Sequence, residues 1–337
     1  MEGRRTIAVA YLVTAVAVLL LFIANLVFGA VRIPVGDVFS ILSGSFEGKR
    51  SWVQIVLRSR LPQAVTALLA GSSLATAGLL LQTLFRNPLA GPSILGISDG
   101  ANLGVAVAML YFATTSYVTT IVAAFVGAAT VLGIIILFSR KVNNSVMLLI
   151  IGMMVGYLAS SVISILNFSA SADKVHQYVM WGMGDFGGVS LEKMPYFATA
   201  ALAGLALALL LVKPLNALLL GESYASNLGV NVGRLRLLIL LCTGILTAAV
   251  TAFCGPVSFI GLAVPHIARL LIGSSNHKHL VPLTMLSGAC IALLCNILTV
   301  IPGTGGATLP LNAVTPLVGA PVIIYVIMNR RNLHYFN

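Results

Sequence analysis

Two related segments interrupt the apolar pattern of this chain and decide how it folds. Residues 87–97 read Asn-Pro-Leu-Ala-Gly-Pro-Ser-Ile-Leu-Gly-Ile, and residues 254–262 read Cys-Gly-Pro-Val-Ser-Phe-Ile-Gly-Leu. Each holds a Gly-Pro pair and, one or two residues later, two apolar residues, a glycine and another apolar residue, and each precedes an unusually short apolar stretch. Because proline lacks the backbone donor and glycine loosens a helix, we expect neither segment to be continuous α-helix and predict that 87–97 and 255–262 are non-helical.

The composition around these breaks is that of a membrane protein. Of the 337 residues, 59% are hydrophobic and 8% are charged, whereas soluble domains carry about 25% charged residues. This excludes a soluble enzyme, a disordered chain and a collagen-like chain. The net charge of +11 comes from basic residues that stand singly or in pairs between apolar stretches. That pattern is typical of membrane topology signals, so we expect no nucleic-acid partner.

Ten apolar stretches are candidate membrane helices, which predicts an all-α integral membrane protein with one domain over residues 1–337. They lie at 6–31, 63–85, 101–114, 117–138, 146–168, 195–212, 236–254, 262–272, 280–301 and 314–328. An even number of spans places both termini on one side, and Arg4, Arg5, Arg330 and Arg331 indicate the cytoplasm. Twelve of the 19 lysines and arginines then lie inside and seven outside.

The two breaks also predict internal repeats and a translocation path. Irregular backbone at membrane depth is tolerated only inside protein or beside a water-filled cavity. Matched breaks in two halves indicate a transporter with repeats, here inverted and spanning roughly 63–168 and 236–328. The predicted path residues are Asn87, Pro88, Gly91, Pro92, Ser93, Gly96, Gly255, Pro256, Ser258, Phe259 and Gly261.

The loop at 216–232 is the most polar segment assigned to the cytoplasmic side. Its apolar residues are too few to span a membrane, and its glycines suggest a short helix, a turn and a second short element. Such an element suits docking into a groove on a partner. The alternative is a short helix lying at the membrane interface.

Isolated polar residues receive mostly structural interpretations. His266 fits a metal ligand or a proton carrier, but no second ligand stands at suitable spacing, so we favour a structural hydrogen bond and predict no metal site. His277 and His279 are expected to be solvated. Asp99 is interpreted as a helix cap rather than a functional acid in the membrane. The four cysteines are interpreted as buried apolar residues.

Several motifs, in this order and at these spacings, resemble the FecCD-like permeases of binding-protein-dependent ABC importers for ferric siderophores, haem and cobalamin. They are Arg60-Leu61-Pro62, Gln82 with 86–90, 96–101, 181–189, 220–222 with Ala225 and 228–230, and 255–262 with Pro265, His266 and Arg269. The resemblance covers nearly the whole chain. It implies a type II importer fold with ten spans in the bacterial cytoplasmic membrane.

The resemblance also implies partners and contact residues. Such permeases work in pairs, as two copies or with a paralogue, with two cytoplasmic ATPase subunits and an extracytoplasmic substrate-binding protein. The implied ATPase-coupling residues are Leu220, Gly221, Glu222, Ala225, Leu228 and Gly229. Arg58 and Arg60 are expected to contact the binding protein, with ordinary snorkelling as the alternative. The chain departs from the family at Gln63 and near Asn296, where relatives have basic residues.

The predicted function is therefore inward transport of an iron-siderophore, haem or cobalamin-type substrate, without a catalytic residue. The chain lacks the Gly-x-x-x-x-Gly-Lys-Ser/Thr motif of ATPases, so ATP and Mg would bind the partner, and no cofactor is expected in this chain. A secondary transporter with inverted repeats is the main alternative, disfavoured because the spans hold no acid besides Asp99. An intramembrane enzyme built on His266 is the second.

Overall fold

A computed structural model describes residues 2–113, 116–142, 145–300 and 308–328, and all regular secondary structure in these residues is helical. The helices are α1 (Glu2–Val27), α2 (Val35–Ser43), α3 (Arg50–Gln54), α4 (Leu61–Phe85), α5 (Ile97–Ala106), α6 (Tyr117–Lys141), α7 (Ser145–Ser169), α8 (Ala172–Gly182), α9 (Met194–Leu210), α10 (Val212–Leu219), α11 (Glu222–Asn227), α12 (Val232–Cys254), α13 (Ile260–Ile272), α14 (His277–Leu298) and α15 (Leu311–Met328). Turns of π-helix run over Ile55–Arg60 and Val107–Tyr111, and 3₁₀ turns over Pro92–Leu95 and Phe186–Gly188.

The all-helical prediction is confirmed, and each of the ten apolar stretches coincides with helix over most of its described residues. Within the described residues, six helices are long and apolar enough to cross a membrane, and α9 with α10, bent by 52°, would make a seventh. The helices α13 and α15 are shorter, and α5 continues into a π-helical turn. The predicted cytoplasmic residues Arg330 and Arg331 lie outside the described residues.

Burial divides the long helices into a core and a periphery. In its most apolar stretch α4 is 89% buried, whereas α1 is 11% and α6 22% buried. The helices α12 and α14 share the core with α4. Apolar side chains left exposed on α1 and α6 suit contact with lipid tails, because in a membrane burial is not needed to remove them from water.

Glycines let α4 approach its neighbours at backbone distance. A Cβ on Gly71 would lie 2.2 Å from the carbonyl oxygen of Gly288 in α14. A Cβ on Gly78 would lie 1.7 Å from that of Gly261 in α13. Small residues at such crossings are the usual way in which membrane helices pack, since van der Waals contact replaces the hydrophobic drive. The position of α13, and of the break before it, therefore depends on these glycines.

The packing is matched between the two parts of the chain. The helix α4 packs against α13 and α14, and α12 packs against α5 and α6. Thus the long helix before each break lies against the helices that follow the other break. The two breaks are brought toward one another as a result.

We predict that Gly78→Ala lowers the stability of the folded chain, whereas Gly133→Ala does not. The added methyl group of the first variant meets the Gly261 backbone, and such overpacking costs about 1–3 kcal/mol or more. Gly133 in α6 has open space around its Cβ position, so alanine there only improves helix propensity. Thermal unfolding of both variants in the same detergent measures the difference. Equal melting temperatures would contradict the close α4–α13 contact.

Candidate functional site

The first break begins with a tight turn after α4. Arg86 adopts a left-handed conformation (φ 46°) at the end of the helix, and the Asn87 side-chain oxygen accepts from the Leu89 N–H at 2.9 Å. The chain then forms the 3₁₀ turn Pro92–Leu95, and Gly96 (φ 72°) starts α5 at Ile97. The prediction that 87–97 is wholly non-helical is therefore corrected: the irregular part is 87–91, and the short helix begins earlier than residue 101.

The second break is similar in form. The helix α12 ends at Cys254, Gly255 turns the chain (φ 74°), and α13 starts at Ile260 with Phe259 at φ 66° before it. Residues 255–259 are irregular, so the predicted non-helical segment 255–262 is three residues too long. Helical hydrogen bonds resume as soon as the chain has passed the proline and the turn.

The two breaks meet at one cavity of about 190 Å³. Six of the predicted path residues line it: Gly91, Pro92, Ser93, Ser258, Phe259 and Gly261. Of the other five, Gly96 and Gly255 are buried at the turns, Asn87 and Pro88 lie toward the end of α4, and Pro256 borders a neighbouring pocket. Pro92 and Gly261 face each other directly, since a Cβ on Gly261 would lie 2.8 Å from the Pro92 ring.

Asn312, in the first turn of α15, holds the second break in place. Its Nδ2 donates to the carbonyls of Pro256 at 2.7 Å and Gly182 at 3.0 Å, and its Oδ1 accepts from the Ser258 N–H at 3.0 Å. The amide thus bonds three backbone groups around the break. Sequence analysis missed this residue, although an asparagine at the start of an otherwise apolar helix was the available signal.

Hydrogen bonds between side chains and neighbouring groups connect the C-terminal end of α4 to α13 and α14. Gln82 donates to the Leu262 carbonyl at 3.2 Å and accepts from Arg269 at 2.7 Å. His266 donates through Nε2 to the Pro88 carbonyl at 2.8 Å, because a carbonyl can only accept. The structural interpretation of His266 is confirmed by this bond, which joins α13 to the first break.

His277 was wrongly expected to be solvated. It is buried at the start of α14, where its Nε2 lies 2.8 Å from the Thr83 hydroxyl and its Nδ1 lies 3.1 Å from the Asn216 side-chain oxygen. It therefore links α4, α10 and α14. Sequence placed it next to Lys278 and His279, but α10 folds over it and excludes water.

Asp99 does not cap its helix, contrary to expectation. Gly96 occupies the N-cap position of α5, and Asp99 lies in the first turn, where a carboxylate interacts favourably with the helix dipole. Its Oδ2 lies against Gly156 of α7. Tyr178 lies outside the spans. Its pKa is raised to about 12, mainly by burial and secondly by the charge of Asp99, so this phenol stays protonated at neutral pH.

The loop 216–232 consists of α10, a turn at Gly221 (φ 108°), α11 and a second turn at Gly229 (φ 83°). Leu220, Tyr224 and Leu228 follow at intervals of four residues and are 61%, 53% and 59% exposed. We call these three residues the exposed apolar triad. Tyr224 was not among the predicted coupling residues. The triad is the exposed apolar part of this loop.

Two of the predicted coupling residues face their own chain instead. Ala225 is fully buried under α11. Glu222 accepts from Arg236 of α12 at 3.0 Å, and Arg236 also donates to the Val142 carbonyl at the end of α6 at 3.1 Å. The ion pair is half-exposed on the Glu222 side, so it orients α11 more than it stabilises the fold.

The role predicted for Arg60 is corrected by its environment at the N-terminal end of α4. Its guanidinium is buried and donates to the carbonyls of Leu26, Val27 and Val31, which end α1. Arg60 therefore cannot reach a partner in this conformation, whereas Arg58 is exposed. Gln63 donates to Asn296, which donates to Asn25. The two departures from the expected basic pattern thus form one neutral amide network.

Within the described part of the chain, no cluster of three or more His, Cys, Asp or Glu side chains has the arrangement of a metal site. The four cysteines are free thiols there, three of them buried. What the structure assembles is a cavity between two helix breaks, with an exposed loop at one end and an exposed arginine at the other.

Comparison with known proteins agrees with this arrangement. The model of the FecCD transport family matches residues 17–329. The chain is 36% identical to the molybdate import system permease protein MolB of Haemophilus influenzae, with 81% of each chain covered. It is 35% identical to the hemin transport system permease protein HmuU of Yersinia pestis (82% and 84% covered). It is 33% identical to the ferric enterobactin permease FepD of Escherichia coli (93% of each).

A solved structure gives the same result for the fold. It is described as an inward-facing conformation of a putative metal-chelate type ABC transporter. The TM-score is 0.83 at 30% sequence identity, and the match covers 95% of this chain and 99% of that chain.

We predict that Asn312→Ala lowers the melting temperature and that Asn312→Asp does so at least as much. Alanine removes three hydrogen bonds, each of which contributes about 1 kcal/mol. Aspartate keeps the acceptor for Ser258 but turns a carboxylate oxygen toward two carbonyl oxygens. Thermal unfolding in detergent measures both. Wild-type stability in Asn312→Ala would show that the break does not depend on this amide.

Proposed function

The chain belongs to the FecCD transport family, and on that premise we propose that it forms half of an importer's membrane path and is driven by separate ATPase subunits. The observation that carries this proposal is the meeting of two interrupted spans at one cavity, with a docking loop at one end of the bundle. A path of this kind opens alternately to the two sides when its walls shift. The chain itself is a permease and performs no covalent chemistry.

The matched packing around the breaks supports the inverted repeats predicted over 63–168 and 236–328. If the repeats exist, α4 corresponds to α12, and the two halves form symmetric walls. Exposed apolar surface on α7 and α15 leaves room for a second permease copy or a paralogue. Transport would then follow the interface between the two permeases.

The proposed cargo is a metal chelate: an iron-siderophore, haem or a cobalamin-type compound. Relatives named for haem, enterobactin and vitamin B12 support this class, and the relative named for molybdate widens it to a small metal oxyanion. The apolar and small residues at the cavity fit a path that does not hold its cargo tightly. Uptake assays with radiolabelled members of each class, in cells that contain the complete transporter, would separate them.

We propose further that the ATPase subunits dock on the loop 216–232 from the cytoplasm, which the positive charge around the loop favours. The exposed apolar triad supplies the contact, and Gly221 and Gly229 shape the backbone around α11. Glu222 transmits motion from α11 to α12 through Arg236. A secondary transporter has no use for such a loop, and family membership argues against that alternative.

Leu228→Asp and Tyr224→Asp are expected to reduce co-purification of the ATPase subunits without loss of folded permease. Buried anchor residues at interfaces contribute 2 kcal/mol or more, which is about 30-fold in affinity. Leu191→Asp is the matched control, because Leu191 is also an exposed leucine outside the loop. Pull-down after mild detergent extraction gives the readout. Undiminished co-purification with both variants would place the ATPase contact elsewhere.

At the opposite end, Arg58→Glu is expected to slow association with a loaded binding protein. A rim charge acts mainly on the association rate, and salt screens its effect. The difference from wild type should therefore shrink as the ionic strength rises. Surface plasmon resonance on the reconstituted transporter would measure it, and identical association rates at low salt would leave Arg58 as a snorkelling residue.

A further inference from the structure

A basic pocket lies between α6, α11 and α12, away from the cavity at the breaks. It has a volume of about 540 Å³. Its lining consists of Ser139, Arg140, Glu222, Val232, Gly233, Arg234, Arg236 and Leu237. That volume falls within the usual range for small-ligand sites. Glu222 and Arg236 also belong to the proposed coupling link, whereas Arg140 and Arg234 have no part in it.

The pocket carries excess positive charge. Its lining includes three guanidinium groups, those of Arg140, Arg234 and Arg236, and one carboxylate, that of Glu222. The Glu222 carboxylate is bonded to Arg236. In the part of the chain that the structure describes, no carboxylate lies within 4.0 Å of Arg140 or Arg234, and both side chains are exposed. Guanidinium groups in such an arrangement favour a phosphate or a similar oxyanion.

The position of the pocket indicates where that phosphate comes from. Arg140 stands in the last turn of α6 and Arg234 in the first turn of α12, and both helices are long enough to cross a membrane. Just inside the spans, Leu137 of α6 is 64% exposed and Leu238 of α12 is 39% exposed. Basic residues at the level of the headgroups therefore adjoin apolar side chains at the level of the acyl chains.

We propose that this pocket binds the phosphate of an anionic phospholipid whose acyl chains lie along α6 and α12. Basic pockets between membrane helices on the cytoplasmic side are suited to such headgroups. Arg140 and Arg234 hold the phosphate, and the Arg236–Glu222 pair borders it. The bound lipid thus contacts α6, α11 and α12 together. A soluble phosphate would meet the same guanidinium groups but not the apolar surface next to them.

The test uses the purified full-length chain, so its outcome does not depend on ATPase subunits or on transport. Native mass spectrometry measures how much phosphatidylglycerol or phosphatidylcholine the chain retains at increasing lipid concentration. We expect preferential retention of phosphatidylglycerol. Arg140→Gln/Arg234→Gln should weaken it about 30-fold, because each basic residue near an anionic lipid contributes about fivefold.

The matched control is Lys213→Gln/Lys278→Gln. It removes the same charge from two exposed residues at the same end of the bundle, outside the pocket, and should leave retention nearly unchanged. Arg140→Lys/Arg234→Lys should retain part of the preference, since lysine keeps the charge without the planar fork. Thermal unfolding without added lipid shows that all variants are folded.

Three results would overturn the proposal. The first is that Arg140→Gln/Arg234→Gln and Lys213→Gln/Lys278→Gln lose phosphatidylglycerol equally. This would mean that retention depends on overall charge and not on the pocket. The second is full displacement of the lipid by millimolar inorganic phosphate, which would identify a soluble anion site. The third is unchanged phosphatidylglycerol retention in Arg140→Gln/Arg234→Gln, which would show that these two arginines do not hold the lipid.

Discussion

Backbone groups that leave a helix inside a membrane have to find partners within the protein, and the architecture of this chain depends on that requirement. Each break frees N–H and C=O groups at a depth where lipid cannot bond them. The sequence analysis allowed either surrounding protein or water in a cavity to satisfy them. The structure supplies a side-chain amide, Asn312, at the second break, and the imidazole of His266 at the first. The breaks are thus ordered features held by named side chains.

Close packing of α4 is what brings those partners within reach. Gly71 and Gly78 let two other helices approach its backbone, and the approach of α13 sets Gly261 against Pro92. Bulkier residues at these positions would push the helices apart. Gln82, His266 and Arg269 could then no longer connect α4 with α13. The glycines allow the short distance between the helices, and the polar side chains form hydrogen bonds across it. Steric fit and polar bonding therefore depend on each other here.

The sequence predicted the helices and the breaks well because both are local signals. Apolar length marks a span, and Gly-Pro marks an interruption, wherever the rest of the chain lies. The misassigned residues are those whose partners are distant in sequence. Asn312 bonds groups 56 and 130 residues away, and His277 is buried by α10, whose residue Asn216 is 61 residues away. Arg60 was assigned to a contact with the binding protein because the family resemblance implies one at the outer end of its span. Its burial depends on how α1 ends, which no local pattern encodes.

Arg236 connects the loop 216–232 to two long helices through hydrogen bonds. One terminal nitrogen holds α11 through Glu222, and the other holds the end of α6 through Val142, while the residue itself lies in the second turn of α12. A load applied to α11 is consequently divided between two membrane helices, one from each half of the chain. The planar guanidinium donates from two nitrogens in fixed directions, which the single point charge of a lysine could not reproduce. In the proposed coupling, displacement of the six-residue helix α11 would therefore act on α6 and α12 at once.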